Sequence, residues 1–255
     1  MCAYIDSDPA SRLEETFYRS KIEQETFLEL GAVGRSFCIL MLALGTTVAV
    51  TEGPTLILTG FGPFGDVTDN PTSILIQELR RRILCEALPV KVKIFSVLEV
   101  STVGVDSFLQ SVSDVRGDRV CIHLGVDSAG QHFKLERSAY NNTSFRIPDA
   151  TGAQPNACKI VDEFEFDEPL ESKFDLDSAL TQLQDEGFDV KSSDDPGRYL
   201  CNYVFYKSQY CAPESPVVFI HVPPFSVYPM EQQAAFVSRA VEILTAQALE
   251  SRGKR

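Results

Sequence analysis

The 255-residue chain has few of the residues from which metal sites are built. It contains three histidines, and its seven cysteines include no CxxC pair and no regular spacing. A structural zinc site needs closely spaced Cys and His ligands, so none is predicted. The odd number and scattered placement of the cysteines also argue against a disulfide framework. They indicate a reducing compartment, and we therefore expect a cytoplasmic protein.

Positive charge is also scarce. Lys and Arg number 23 against 36 Asp and Glu, which gives a formal net charge of −13. A surface of this sign repels phosphate backbones, so nucleic acid is not expected as a partner. With 44% hydrophobic and 23% charged residues, the chain can bury a full core and is not a disordered protein.

The apolar run at residues 36–50 is shorter than the roughly 20 residues that cross a bilayer. It follows an acidic stretch, whereas a signal peptide begins with a short basic segment. We therefore expect residues 1–53 to be a peripheral or poorly ordered extension of a domain at 54–255, and we do not expect a membrane partner. The alternatives are a secretory signal or membrane anchor at 36–50, or a functional chain that starts near Met41.

After residue 53, strand-like and helix-like segments alternate. The strand-like segments are TLILTG, VKVKIFSVLEV, RVCIHLG and SPVVFIHVPP. A predicted helix follows each of them except RVCIHLG, after which a further strand and a long loop precede the next helices. One helix is expected to begin at Asn70-Pro71, with asparagine as the N-cap and proline at the first helical position. The alternation predicts an α/β fold, a three-layer α/β/α open sandwich with a mostly parallel twisted sheet. Active sites in such folds lie at the carboxyl ends of strands.

The first strand leads into GFGPFG at residues 60–65, which formally matches the dinucleotide fingerprint GxGxxG. Pro63 removes a backbone N–H that a pyrophosphate would need, and the next helix begins too late to point at a phosphate. Dinucleotide binding is therefore not predicted. Phe61 and Phe64 in this stiff loop would suit a flat, apolar ring as ligand, although burial in the core is the alternative.

A candidate nucleophile and a candidate base occur later in the chain. Cys201 follows Asp194-Asp195-Pro196-Gly197, which predicts a helix with an acidic cap and proline in its first turn, where the helix dipole favours a thiolate. His221 ends the apolar strand VVFIH, and a Cys–His pair at one sheet edge suits acyl transfer. A core role is the alternative for each, and His123 and His132 are the rival bases.

A third group would have to orient the histidine. The segment FKLERSAYNN offers Glu136 and Arg137, with Arg146 ten residues after the glutamate. A solvated salt-bridge patch is the alternative, and spacing alone does not select Glu136 from its acidic neighbours.

Four segments, in order, resemble the pyroglutamyl-peptidase I (pyrrolidone-carboxylate peptidase) family. They are TGFGPFG, LERSAYNNTSFRIPD, DPGRYLCNYVFY and FIHVPP. The segments IHLGVDS and SDDPGRYLCNYV are most similar to those of plant-type members. The resemblance implies a cysteine exopeptidase that removes an N-terminal pyroglutamyl (5-oxoprolyl) residue from small peptides, without a metal or organic cofactor. It leaves homo-oligomer formation open.

The resemblance also implies roles for individual residues. Cys201 matches the nucleophile, His221 the base and Glu136 the third member of the triad. Arg146 matches an arginine near the oxyanion. Phe61 and Phe64 match the aromatic residues that sandwich the lactam ring.

Three departures from the family pattern affect the prediction. Val126, a predicted substrate-binding position, stands where bacterial members carry glutamine, although mammalian-type members also have valine. Pro196 stands where alanine is usual, and residues 1–53 have no recognised counterpart. Two alternatives therefore stay open: a catalytically weak pyroglutamyl-binding or scaffold protein of the same fold, and a cysteine hydrolase of another small amide.

Overall fold

A computed structural model describes residues 53–64, 70–85, 88, 90, 92–115 and 119–252. Eight strands occur within these ranges: β1 (Thr55–Phe61), β2 (Val92–Leu98), β3 (Arg119–Val126), β4 (Phe133–Glu136), β5 (Ser138–Tyr140), β6 (Pro169–Glu171), β7 (Val190–Ser193) and β8 (Val217–Val222). Five helices occur in the same ranges: α1 (Pro71–Cys85), α2 (Thr102–Ser111), α3 (Leu176–Asp185), α4 (Leu200–Cys211) and α5 (Met230–Arg252).

Six of the strands form one sheet in the order β2-β1-β3-β8-β4-β7. The first four strands of this order run parallel to one another. Strand β4 then pairs antiparallel with β8, and β7 pairs parallel with β4. The predicted α/β fold with a mostly parallel sheet is confirmed, and its single reversal of direction lies between β8 and β4.

Helices cover both faces of the sheet because the strands are apolar on both sides. Leu56 and Leu58 of β1 belong to a core cluster with residues of α1, α3 and α5. Ile57, between them, belongs to a second cluster with residues of α2 and α4. Successive side chains of a strand point to opposite faces, so the two clusters are the two sides of a three-layer sandwich, as predicted.

The predicted start of α1 is confirmed. Its first residue is Pro71, and the side-chain oxygen of Asn70 accepts a hydrogen bond from the backbone N–H of Thr72 at 3.0 Å. Asparagine at this position satisfies a backbone donor that has no partner within the helix.

The predicted start of α4 is wrong by several residues. Asp195 does not cap this helix. Its Oδ1 atom accepts hydrogen bonds from the backbone of Gly197 and the side chain of Arg198 instead. This closes a turn in which Gly197 has a φ of 80°, a conformation that interrupts a helix. The helix therefore begins at Leu200, with Tyr199 as an N-cap that makes no side-chain capping bond.

No helix in the described part of the chain is both long and apolar enough to cross a membrane. Residues 36–50 and nearly all of the predicted extension at 1–53 lie outside the described residues, so the predictions made for them stay predictions.

Candidate active site

His221 and Glu136 meet on one face of the sheet, at the reversal between β8 and β4. The Nδ1 atom of His221 lies 2.7 Å from Oε1 of Glu136. Both side chains are buried, Glu136 completely. In the antiparallel register Glu136 stands opposite Phe219, two residues before His221, so its side chain reaches the imidazole diagonally on the same face.

Cys201 is brought to this face by α4, which packs in the second core cluster together with Phe219. A Cβ atom built on Gly125 of β3 would lie only 3.0 Å from the Cys201 sulfur. Gly125 is the register partner of His221 in the neighbouring strand. The thiol therefore lies over the end of β3, beside the strand that carries the imidazole.

The electrostatics of His221 reflect both neighbours. Burial alone would lower the pKa of this histidine. The negative charge of Cys201 and hydrogen bonds with Cys201 and Glu136 outweigh burial and raise the pKa to about 10. An imidazolium is thus stabilised between a sulfur and a carboxylate. The second oxygen of Glu136 is buried without a hydrogen-bond partner among the described residues, so the carboxylate acts chiefly on His221.

The corrected start of α4 places Cys201 second in the helix, closer to its N-terminus than the sequence indicated. The first intrahelical bond runs from the backbone N–H of Tyr203 to the carbonyl of Tyr199. The N–H groups of Leu200 and Cys201 precede this bond and have no acceptor within the helix. They and the helix dipole stabilise negative charge at the sulfur or at an oxygen next to it.

Aromatic side chains surround the start of α4. The ring of Tyr199 lies 5.7 Å from that of Phe64 and 4.6 Å from that of Phe145, centroid to centroid. Phe64 is partly buried against the second core cluster, while Phe61 belongs to that cluster and is only 5% exposed. The structure therefore brings both predicted phenylalanines to the face and the end of the sheet that carry Cys201, with Phe64 the more accessible.

Arg146 lies in a loop that touches the start of α4. The backbone N–H of Ser144 donates to the carbonyl of Arg198, and the hydroxyl of Tyr199 donates to the carbonyl of Pro148. The Arg146 side chain between these contacts is exposed. The loop thus adjoins the helix that carries Cys201, and a role for the guanidinium at an oxyanion stays a prediction.

The side chain of Val126 is not brought to Cys201. It packs against the first core cluster, with α1, α3 and α5. Alternation along β3 puts Gly125 under the sulfur and the next residue on the opposite face. A direct contact of this side chain with a substrate on the Cys201 face is therefore not supported by its position.

The rival base His123 is occupied elsewhere. It is 1% exposed, and its ring nitrogens lie 2.7 Å from the hydroxyl of Thr59 and 2.8 Å from that of Ser208. Burial lowers the pKa of His123 to about 3. His132, the other rival, is half-buried just before β4. Of the three histidines, His221 has the contacts expected of a base.

Three residues at the site were not singled out from the sequence: Gly125, Tyr199 and Asn202. Glycine inside a buried strand signals a close approach by another group, so the run IHLG could have revealed Gly125. Asn202, next to Cys201, is completely buried and bonds both the N–H and the carbonyl of Tyr140. A buried asparagine inside a helix indicates such a link, but not its partner.

Several known proteins are similar to this chain. A family model for pyroglutamyl peptidases matches residues 55–247. Pyroglutamyl-peptidase 1 of Homo sapiens is 27% identical, over 78% of this chain and 93% of its own. The pyrrolidone-carboxylate peptidase of Thermococcus litoralis is 32% identical, over 66% of this chain and 76% of its own.

A solved structure shows the same fold. The pyrrolidone carboxyl peptidase of Thermus thermophilus superposes with a TM-score of 0.64 at 29% identity, over 73% of this chain and 98% of its own. The family model spans most of the chain, including all three residues that meet at the end of the sheet. The chain therefore belongs to the pyroglutamyl peptidase family of cysteine-type hydrolases.

Proposed function

We propose that this protein is an exopeptidase that removes an N-terminal pyroglutamyl residue from peptides through an acyl-enzyme on Cys201. The observation that carries the proposal is the 2.7 Å contact between His221 and Glu136, on the face where the Cys201 sulfur lies over Gly125. Nucleophile, base and orienting carboxylate are the three groups that acyl transfer by a thiol requires.

In the first half-reaction, His221 takes the thiol proton and the sulfur attacks the pyroglutamyl carbonyl carbon. A carbon–sulfur bond forms, and the carbonyl oxygen becomes negative. The free N–H groups at the start of α4 are positioned to stabilise this oxyanion, and Arg146 adds positive charge from its loop. Glu136 keeps Nδ1 of the imidazole as the donor, so Nε2 is the atom that exchanges protons.

Collapse of the tetrahedral intermediate breaks the carbon–nitrogen bond. The His221 imidazolium donates its proton to the leaving amine, and the shortened peptide departs. Water then attacks the thioester while His221 accepts a water proton. Breaking the carbon–sulfur bond releases pyroglutamate, and the proton on His221 returns to the sulfur, which restores the thiol.

Selectivity for the lactam follows from the aromatic surroundings. Phe61 and Phe64 supply apolar surface for a flat, uncharged ring. An ordinary N-terminal residue carries a charged α-amine, which would lose its hydration there without a compensating partner. Val126 lies on the opposite face of β3, packed against the first core cluster, and is not part of this apolar surface.

A substrate panel tests the proposal. Aminomethylcoumarin amides of pyroglutamate, proline and glutamine are compared on the full chain, and we expect turnover of the pyroglutamyl amide alone. Cleavage of another amide in preference would point to a different hydrolase. Binding of the pyroglutamyl amide without turnover would point to a scaffold protein.

Two cysteine variants assign the nucleophile. Cys201→Ala should abolish turnover, whereas Cys158→Ser, which alters an exposed free thiol, should leave it within about twofold of wild type. Turnover that survives Cys201→Ala would contradict the mechanism.

We also propose that residues 54–255 form the catalytic domain. The family match at 55–247 supports this boundary. A chain that begins at residue 54 should keep the kcat/KM of the full chain, and loss of activity would make residues 1–53 part of the functional unit.

The cytoplasmic location and the oligomeric state stay predictions, to be checked by cell fractionation and by light scattering.

A further inference from the structure

An ion pair lies at the same end of the sheet as Cys201 and His221. The Nζ atom of Lys134 is 2.7 Å from Oδ2 of Asp127. Asp127 directly follows β3 and is held in place, since its backbone N–H donates to the carbonyl of Val222 and its Oδ1 accepts from Ala129. About a quarter of each charged side chain is exposed, so the pair is fixed but accessible.

The reversal of β4 places this pair beside His221. Because β4 runs antiparallel to β8, its first residues lie at the carboxyl end of β8, where Lys134 is the register partner of His221. Directly opposed residues have Cβ atoms about 5 Å apart. Burial raises the pKa of Asp127, but the hydrogen bond and charge of Lys134, with the charge of His221, leave it lowered. The charge of the His221 imidazole thus contributes to lowering the pKa of Asp127.

The proposed function, on which this inference rests, sets the direction of a bound peptide. The pyroglutamyl ring lies toward Phe61 at the end of β1, and the carbonyl carbon is at Cys201, over β3. The leaving nitrogen must reach His221 on β8, because His221 protonates it. The sheet order β1-β3-β8-β4 then carries the next part of the peptide toward β4 and Lys134.

We propose that Lys134, held by Asp127, binds the α-carboxylate of the residue that follows pyroglutamate in a dipeptide. That carboxylate lies one carbon from the scissile nitrogen, within about 4 Å, and adjacent strands are spaced about 4.8 Å apart. An ammonium group has three donors, of which Asp127 uses one. A charge-assisted hydrogen bond to the substrate is therefore open to it, and the enzyme should prefer dipeptides with a free carboxyl end.

The test compares kcat/KM for pyroglutamyl-alanine and for its C-terminal amide. We expect wild type to favour the acid about five- to tenfold, and the ratio to shrink toward one as salt rises from about 0.05 to about 0.5 M. Both values are measured on the same preparation, so the concentration of folded enzyme cancels in their ratio. A variant that is only partly folded therefore keeps its ratio.

Four variants examine the ratio. Lys134→Arg should keep a preference for the acid. Lys134→Met leaves Asp127 unpaired, so the ratio should fall below one, and the double variant Asp127→Asn/Lys134→Met should return it to about one. Lys207→Met removes a matched lysine, 3.5 Å from Asp106 on α2, and should leave both rates and the ratio unchanged.

The outcomes separate the two proposals. Failure of wild type to cleave pyroglutamyl aminomethylcoumarin, which has no carboxylate, would overturn the proposed function and this inference with it. If wild type cleaves that amide but treats the acid and the amide of pyroglutamyl-alanine alike, only this inference fails. It also fails if Lys134→Met keeps the wild-type ratio.

Discussion

At the scale of single residues, the site depends on a few short contacts. Glu136 is completely buried and offers one oxygen to His221. A carboxylate in such a place is stabilised chiefly by a positively charged partner. The His221 imidazolium is that partner, so each charge depends on the other.

We expect Glu136→Gln to lower kcat about 10²- to 10⁴-fold, because a neutral amide stabilises the imidazolium less. The carboxylate helps to raise the pKa of His221 to about 10. Without it that pKa falls, so the alkaline limb of the kcat profile should move to lower pH. A pH series on the pyroglutamyl amide measures both effects. Glu165→Gln, at an exposed glutamate, is the control. An alkaline limb that stays in place in Glu136→Gln would contradict the assignment of Glu136 as the carboxylate that acts on His221.

Gly125→Ala should impair both stability and turnover. The added Cβ would lie 2.5 Å from the Phe219 ring and 3.0 Å from the Cys201 sulfur, so both side chains must move. We expect a loss of about 1–3 kcal/mol in the free energy of unfolding and at least a tenfold fall in kcat, since the thiol leaves its position. Urea unfolding and steady-state kinetics measure the two.

Gly187→Ala is the control, because it lowers stability without a contact to the thiol. Gly187 has a φ of 89° and nothing within 4 Å of a built Cβ, so alanine there costs about 1 kcal/mol of stability through the backbone alone. It should leave kcat unchanged. If Gly125→Ala is as active as this control, the close approach of the sulfur has no part in positioning it.

At the scale of elements, the start of α4 is joined to β5 by one side chain. The Oδ1 atom of Asn202 accepts from the backbone N–H of Tyr140, and its Nδ2 donates to the carbonyls of Tyr140 and Asn142. The nucleophile helix and the chain after Glu136 are thus tied together directly beside Cys201.

Asn202→Ala should lower the free energy of unfolding by about 2–4 kcal/mol, because buried backbone groups lose their partner. Gln154→Ala, which removes an exposed amide that donates to the carbonyl of Phe145, should cost less than about 1 kcal/mol. Urea unfolding compares the two, and limited proteolysis of residues 141–168 shows whether the loop is released. Equal costs would mean that Asn202 is not a structural link.

The sequence pattern predicted some helices and strands correctly and missed others. The α1 start was predictable because its cap is local, within Asn70-Pro71-Thr72. Strand β7 was not predicted, because four residues at an exposed sheet edge carry little hydrophobic pattern. The start of α4 was misplaced because an aspartate before proline and glycine closes a turn as readily as it caps a helix.

At the scale of the whole molecule, the buried histidines link stability to pH. The pKa of His123 is lowered to about 3 by burial, while an unfolded chain protonates histidine near 6.5. Between these values the unfolded state binds the extra proton, so stability falls as the pH falls from about 6.5 toward about 3. The pH dependence that His221 contributes has the opposite sign. Its stabilising contribution is complete below about pH 6.5 and is lost as the pH rises through about 10.

We expect His123→Gln to weaken the acid dependence. The free energy of unfolding of wild type should fall by about 1.4 kcal/mol more per pH unit than that of the variant, well below pH 6.5. Urea titrations from pH 4 to 7 measure the difference, and carboxylates common to both proteins cancel. Parallel curves would show that His123 titrates in the folded protein as it does in the unfolded chain.

The sequence by itself determined the alternation of strands and helices, the position of Cys201 near a helix start and that of His221 at a strand end. These depend on local periodicity and turn chemistry, which act over a few residues. Spacing did not select Glu136 among many acidic residues, although the family resemblance named it; the tertiary structure decided that it meets His221, and that Val126 points to the other face. Both outcomes depend on the order and direction of β3, β8 and β4, which are set by pairing between segments distant in the chain.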